Sequence, residues 1–217
     1  MGNKQVLPGT EEAHLMRAVK RRNYYGEVDG EGRKCGFGIE QTEVPHHGLV
    51  TYIGEFADDH RSGIGILLYG NSFSHHGHWK ESKMSGWAKL KYGVNTNEVF
   101  EGQLRDNQRR GYGIYMEADG ASYRGFWLQN KQHGHGFYNN DIDKIKYEGN
   151  FFEGKKDGFG IYQKVKLTKM KYLISYTYKG MFKNDEIDFN GLAFEMFSVR
   201  YTRRRRTDFI DEYVSYR

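Results

Sequence analysis

Apolar and polar residues alternate along this chain in short bursts of about seven residues, and the bursts are cut by charged turns. The stretch "YEGNFFEGKKDGFG" from Tyr147 is typical, and it recurs. Before it stand "YRGFWLQNKQHGHG" from Tyr123, "FEGQLRDNQRRGYG" from Phe100, "HHGHWKESKMSGWA" from His75 and "YIGEFADDHRSGIG" from Tyr52. A first copy, "YYGEVDGEGRKCGFG" from Tyr24, is one residue longer, and a last one, "YKGMFKNDEIDFNGLA" from Tyr178, is two longer. The leading glycines fall at 26, 54, 77, 102, 125, 149 and 180, so the base period is near 23 with loop insertions. A fixed period of this length marks a repeat architecture.

Each copy carries its own period of two. The residue two after the leading glycine is Val28, Phe56, Trp79, Leu104, Trp127, Phe151 or Phe182, apolar every time. The residue two before it is aromatic in every copy, counting His75. Polar residues such as Glu27, Glu55 and Glu148 lie close by. Period-2 alternation predicts a half-buried strand, with the glycine leaving room on the aromatic face for a neighbouring ring. Polar runs such as "EGKKD" and "ADDHRS" predict a turn. A second strand then opens on Gly-x-Gly followed by apolar residues. Each copy is thus a β-hairpin. A lone hairpin is marginal in water, whereas stacked hairpins gain stability from nearest neighbours.

Tyr-x-Gly-x-aromatic, with Gly-x-Gly about nine residues after the first glycine, resembles the MORN repeat over residues 24–195. Ala88 and Ala193 replace glycines, and His75 replaces the usual tyrosine, in worn copies. The resemblance implies an all-β fold: an elongated, twisted antiparallel sheet of about seven stacked hairpins with an open groove. We expect a cap over 1–23, the array over 24–197 with a long insert at 163–177, and a basic segment over 198–217. A helix is predicted in "GTEEAHLMRAVKRR", with Thr10 as N-cap, and another from Thr207 with Phe209, Ile210, Tyr213 and Val214 on one face. Each caps the array or docks to a partner, since repeat ends need capping.

Composition narrows the chemistry. There are 28 glycines and 2 prolines, yet aromatics reach 16%, enough burial to offset ordering entropy. No apolar run approaches the roughly 20 residues that span a bilayer, and the first residues lack an apolar signal core. The start "MGNKQV" has Val6 where a myristoylation motif wants Ser or Thr. A single cysteine, Cys35, allows no internal disulfide and fits a reducing compartment. A net charge of +5 argues weakly for nucleic acid, which is not expected as a partner.

No cofactor, metal or catalytic site is expected. The Gly-x-Gly pairs lack the third glycine and the following helix of a nucleotide loop. His75, His76 and His78 alternate in direction and lack completing ligands. No nucleophile motif is present, and the flanks are too short for a catalytic domain. The expectation is a non-enzymatic scaffold for protein partners, with homodimerisation open. The resemblance implies a cytoplasmic setting in the cytoskeleton or in a ciliary axoneme, as in radial spokes. Tyr52, Phe56, Trp79, Phe100, Trp127, Phe151 and Phe182 are the candidates for packing or partner contact. The alternative is an adaptor on an anionic membrane surface. It would use Lys164, Lys166, Lys169 and Lys171 with Arg203, Arg204, Arg205 and Arg206.

Overall fold

The computed structural model describes residues 17–20, 23–46, 48–70, 73–93, 96–167, 172–190, 195–196 and 200–203. These residues form one open antiparallel sheet, and among them there is no helix. The first strand is β1 (Arg17–Lys20). Six hairpins follow: β2 (Tyr24–Val28) with β3 (Lys34–Val44), β4 (Gly48–Ala57) with β5 (His60–Tyr69), β6 (Phe73–Lys80) with β7 (Lys83–Tyr92), β8 (Val99–Arg105) with β9 (Gln108–Met116), β10 (Ser122–Leu128) with β11 (Lys131–Asn140), and β12 (Ile145–Phe152) with β13 (Lys155–Leu167). In the seventh, β14 (Tyr172–Lys183) pairs with a broken return made of β15 (Glu186–Ile187), β16 (Glu195–Met196) and β17 (Arg200–Arg203). From β1 to β14 each strand pairs with the next in sequence, so this part of the sheet is an uninterrupted meander.

Two expectations change here. Arg17–Lys20 is strand rather than helix, paired with Tyr25–Val28. The open edge of β2 presents unpaired amides and carbonyls, and satisfying them outweighs a weak helical pattern. The insert at 163–177 is strand on both sides: residues up to Leu167 continue β13 and those from Tyr172 begin β14. The helix expected from Thr207, with Phe209, Ile210, Tyr213 and Val214, lies outside the described residues, as do Thr10 to Met16 and Ala193.

A row of glycines crosses the sheet at right angles to its strands. Gly26 pairs with Gly38, Gly38 with Gly54, Gly54 with Gly65 and Gly65 with Gly77. The row passes through Ala88 to Gly102 and Gly113, and on through Gly125, Gly136, Gly149 and Gly160 to Gly180. Each repeat tyrosine lies over this row. A Cβ on Gly65 would stand 2.5 Å from Tyr52 Cε2, and one on Gly38 would stand 2.6 Å from Tyr24 Cε2. So the glycines are the floor on which the rings rest, and close approach requires them.

Beside the row every complete hairpin carries a bulge, such as that between Gly54 and Glu55 or between Gly149 and Phe151. The first glycine of Gly-x-Gly takes the positive φ this needs, 58° at Gly63 and 97° at Gly158. The bulge frees a carbonyl and an amide, and both find partners. The tyrosine hydroxyl donates to the carbonyl: Tyr52 to Glu55 (3.0 Å), Tyr123 to Phe126 (2.9 Å) and Tyr147 to Asn150 (3.0 Å). An acceptor side chain takes the amide, Glu55 from Ile64 N–H (3.1 Å) and Gln103 from Tyr112 N–H (3.0 Å).

The turns lock each hairpin to the one before it. Asp58–Asp59, Glu81–Ser82, Asp106–Asn107, Gln129–Asn130, Glu153–Gly154 and Asn184–Asp185 all have positive φ, as two-residue hairpin turns require. The second residue of each turn donates its amide to the preceding hairpin, as Asn107 does to Met84 O and Asn130 to Arg109 O. Its side chain accepts in return: Asp59 from Lys34 N, Ser82 from Arg61 N, Asn107 from Met84 N, Asn130 from Arg109 N and Asp185 from Lys156 N. Gly154 donates to Gln132 O but has no side chain to accept with. A Cβ there meets nothing within 4 Å, and φ is +88°, a backbone that Asn adopts readily. Gly154→Asn is therefore expected to stabilise the protein by about 1 kcal/mol, one net hydrogen bond. Urea unfolding checks it: a lower midpoint would count against the turn clip.

Candidate binding faces

The candidate partner residues Tyr52, Phe56, Trp79, Phe100, Trp127, Phe151 and Phe182 are all 5% exposed or less. Their rings meet edge to face in a chain, Tyr52 with Phe56 at 5.1 Å and with Trp79 at 5.2 Å, and Tyr123 with Trp127 at 5.2 Å and with Phe151 at 5.0 Å. That geometry matches ring edges to ring faces and adds to burial. Trp79 and Trp127 each donate Nε1–H to a carbonyl of the glycine strands, Gly65 and Gly113, at 3.2 Å.

Side chains from the return strands then cover the rings. The residue opposite the inner apolar position is Lys34, Arg61, Met84, Arg109, Gln132, Lys156 or Ile187. Four of these are cations above rings. Lys34 lies 5.4 Å from the Tyr24 ring centre, Arg61 lies 5.0 Å from Tyr52, Arg109 lies 4.4 Å from Trp127, and Lys156 lies 5.7 Å from Tyr147. Glu40 pairs with both Lys34 and Arg61. Burial works to raise its carboxyl, but the hydrogen bonds from those two cations outweigh it and hold it below the ordinary carboxylate value. Over most of the array this face is closed by its own rings and these lids.

Buried phenols make this face sensitive to alkali. Burial pushes the Tyr52 hydroxyl up to about 12 and raises Tyr123, Tyr147 and Tyr178 as well. An unfolded phenol ionises near pH 10. Above that pH the unfolded chain releases protons that the folded one retains, so stability falls as pH rises through roughly 10 to 12. In an alkaline titration the tyrosinate absorbance of the buried set is expected to appear together with loss of the β circular-dichroism signal. Full ionisation with that signal intact would contradict it.

The opposite face is the one that offers apolar surface to solvent. The middle residue of Gly-x-Gly is Phe37, Ile64, Trp87, Tyr112, His135 or Phe159, and all six are exposed, Ile64 by 61%. Tyr25, Phe126 and Phe137 extend the same face, with Tyr112 edge-on to Phe126 at 6.0 Å. Alternation outward from the second glycine was the signal that could have found this row. Exposed apolar surface of this extent marks an interaction face.

The histidines do not converge. His75 takes a tyrosine's place among the rings, 5.2 Å from Tyr69, and burial lowers its pKa. His76 and His78 are exposed, and His133 and His135 sit against Phe152 and Phe137. Among the described residues no three His, Cys, Asp or Glu side chains come together as a metal site. The basic segments are drawn together: Lys166 pairs with Ile174, and Ile174 pairs with Tyr201 between Arg200 and Arg203. Lys169, Lys171 and Arg204 to Arg206 lie outside the described residues.

The family model of the MORN repeat matches residues 52–72, 100–122, 123–139 and 147–166. A search of curated proteins finds no match to the chain.

Proposed function

From the premise that this chain is a MORN-repeat protein, we propose that it is a non-enzymatic scaffold that positions protein partners in a larger assembly. MORN repeats are binding modules. The observation that carries the reading is the exposed apolar row of Phe37, Ile64, Trp87, Tyr112 and Phe159. It stands on the face opposite the buried rings. A water-soluble array gains nothing from such a row unless another surface covers it. The repeat spacing would set partner positions at fixed intervals, as a cytoskeletal or ciliary axonemal part of radial-spoke type requires. Affinity purification from the native cell tests this. A stable co-purifying complex, weakened by Trp87→Glu and Phe159→Glu, is expected. A lone monomer under those conditions would sink the proposal.

A second reading has its own support. The pairing of β13, β14 and β17 gathers Lys164, Lys166, Arg200 and Arg203 at one end of the sheet. Cations near an anionic bilayer contribute about 1 kcal/mol each. Vesicles of mixed phosphatidylserine and phosphatidylcholine should then bind the protein, with affinity falling steeply as salt rises. Absence of binding at low salt rules out the membrane role.

A further inference from the structure

The array departs from its pattern at Gln132 in the fifth hairpin and at Gly154 in the turn of the sixth, and a groove opens there. Elsewhere Arg109 covers the rings of Phe100, Tyr115 and Trp127, at 5.6, 5.2 and 4.4 Å. One hairpin on, the equivalent rings are Tyr123, Tyr138 and Phe151, and the residue in the covering position is the shorter, neutral Gln132. The turn that should clip it supplies Gly154, which has no side chain. The result is a groove of 540 Å³ lined by Gln132, Gly154, Tyr138 and Phe151, continuing past Tyr162 to Phe182.

Charge at the groove says what would fill it. Among the described residues that line it, the carboxylates are Glu117 and Asp185 and the one cation is Lys156. Lys156 is already engaged, 3.5 Å from Asp185 and 5.7 Å from the Tyr147 ring. Among the described residues Glu117 has no cationic partner. Burial, with Asp119 and Glu98 nearby, raises its carboxyl above the ordinary value, so a cation placed beside it would be favoured. The rest of the chain shows what suits these rings: Lys34, Arg61, Arg109 and Lys156 stand over their equivalents.

We propose that this groove binds a basic peptide segment of a partner protein, whose Arg or Lys side chain takes the covering place that Gln132 leaves open, over Tyr138 and Phe151 and beside Glu117. The inference deepens the scaffold reading by giving one partner's chemistry. The two fail separately. A failed peptide titration leaves a co-purifying complex standing, and a lone monomer in the cell leaves peptide affinity unaffected.

The test is fluorescence anisotropy of a labelled peptide of four Gly-Arg repeats, titrated with the full chain at low salt. Four Gly-Glu repeats serve as the control. Binding of the basic peptide alone is expected. Gln132→Arg, which restores the array's own lid, should weaken it about tenfold, equivalent to about 1.4 kcal/mol. Glu117→Gln should weaken it several-fold, and circular dichroism should show both variants folded. Gly-Arg binding that is absent, or that survives Gln132→Arg unchanged, overturns the proposal. So does binding that appears only when Arg204, Arg205 and Arg206 are all replaced by Gln, because the groove would then belong to the protein's own basic segment.

Discussion

Gly65→Ala is expected to cost about 3 kcal/mol, at the upper end of ordinary overpacking. The added methyl group would stand 2.5 Å from Tyr52 Cε2. Tyr52 cannot move aside: it is fully buried, edge-on to Phe56 and Trp79, and its hydroxyl is tied to Glu55 O. The chain contains its own control. In the third hairpin the position equivalent to Gly65 is Ala88, 2% exposed, and the position equivalent to Tyr52 is His75. A five-membered ring without the phenol leaves room for the methyl group. The double variant Tyr52→His with Gly65→Ala should therefore recover about 1 kcal/mol of the loss, a coupling well above the error of additivity. Urea unfolding of the two single variants and the double one measures it. Strict additivity would show that the ring and the methyl group do not compete.

Tyr123→Ala should be costlier still, about 4 kcal/mol, the usual loss for emptying a buried aromatic site. Tyr123 is fully buried and touches both Trp127 and Phe151, so its removal uncovers the seam between two hairpins. A loss of that size is a large part of a small protein's whole stability. Tyr123→Phe should cost only about 1 kcal/mol, the net value of the hydroxyl's bond to Phe126 O. The chain tolerates that change naturally at Phe100, which is fully buried in the equivalent place. If the Phe variant were as unstable as the Ala variant, the hydroxyl rather than the ring would be the organising group. Calorimetry on the three proteins decides it.

Much of this was readable in the sequence, for a physical reason. Period-2 alternation fixes which residues share a face, and seven copies in register fix the hairpins. The inner row from Val28 to Phe182 and the tyrosines above it therefore follow directly. The turn clips were harder to see. They join the second turn residue to a backbone amide some 21 to 29 residues earlier, and no local pattern announces a bond to a main chain so far away. The cation lids are spread over four copies that differ in residue type. The far-face row is apolar on the side that a half-buried strand ordinarily turns to water with polar side chains. At the N-terminus the edge of β2 decided the structure of Arg17–Lys20, and an edge is a tertiary fact that local propensity does not contain.

The meander has a mechanical consequence. The two outer strands, β1 and the broken return beside β14, lie at opposite edges of the sheet, so a pull between the ends runs across the strands. Such a load falls on one ladder of hydrogen bonds at a time, and hairpins should peel off singly from an edge instead of shearing together. Each would release about 23 residues, or about 80 Å of chain at full extension. Held between two anchored partners, this protein would yield in steps of similar size under tension and re-form them when the tension drops.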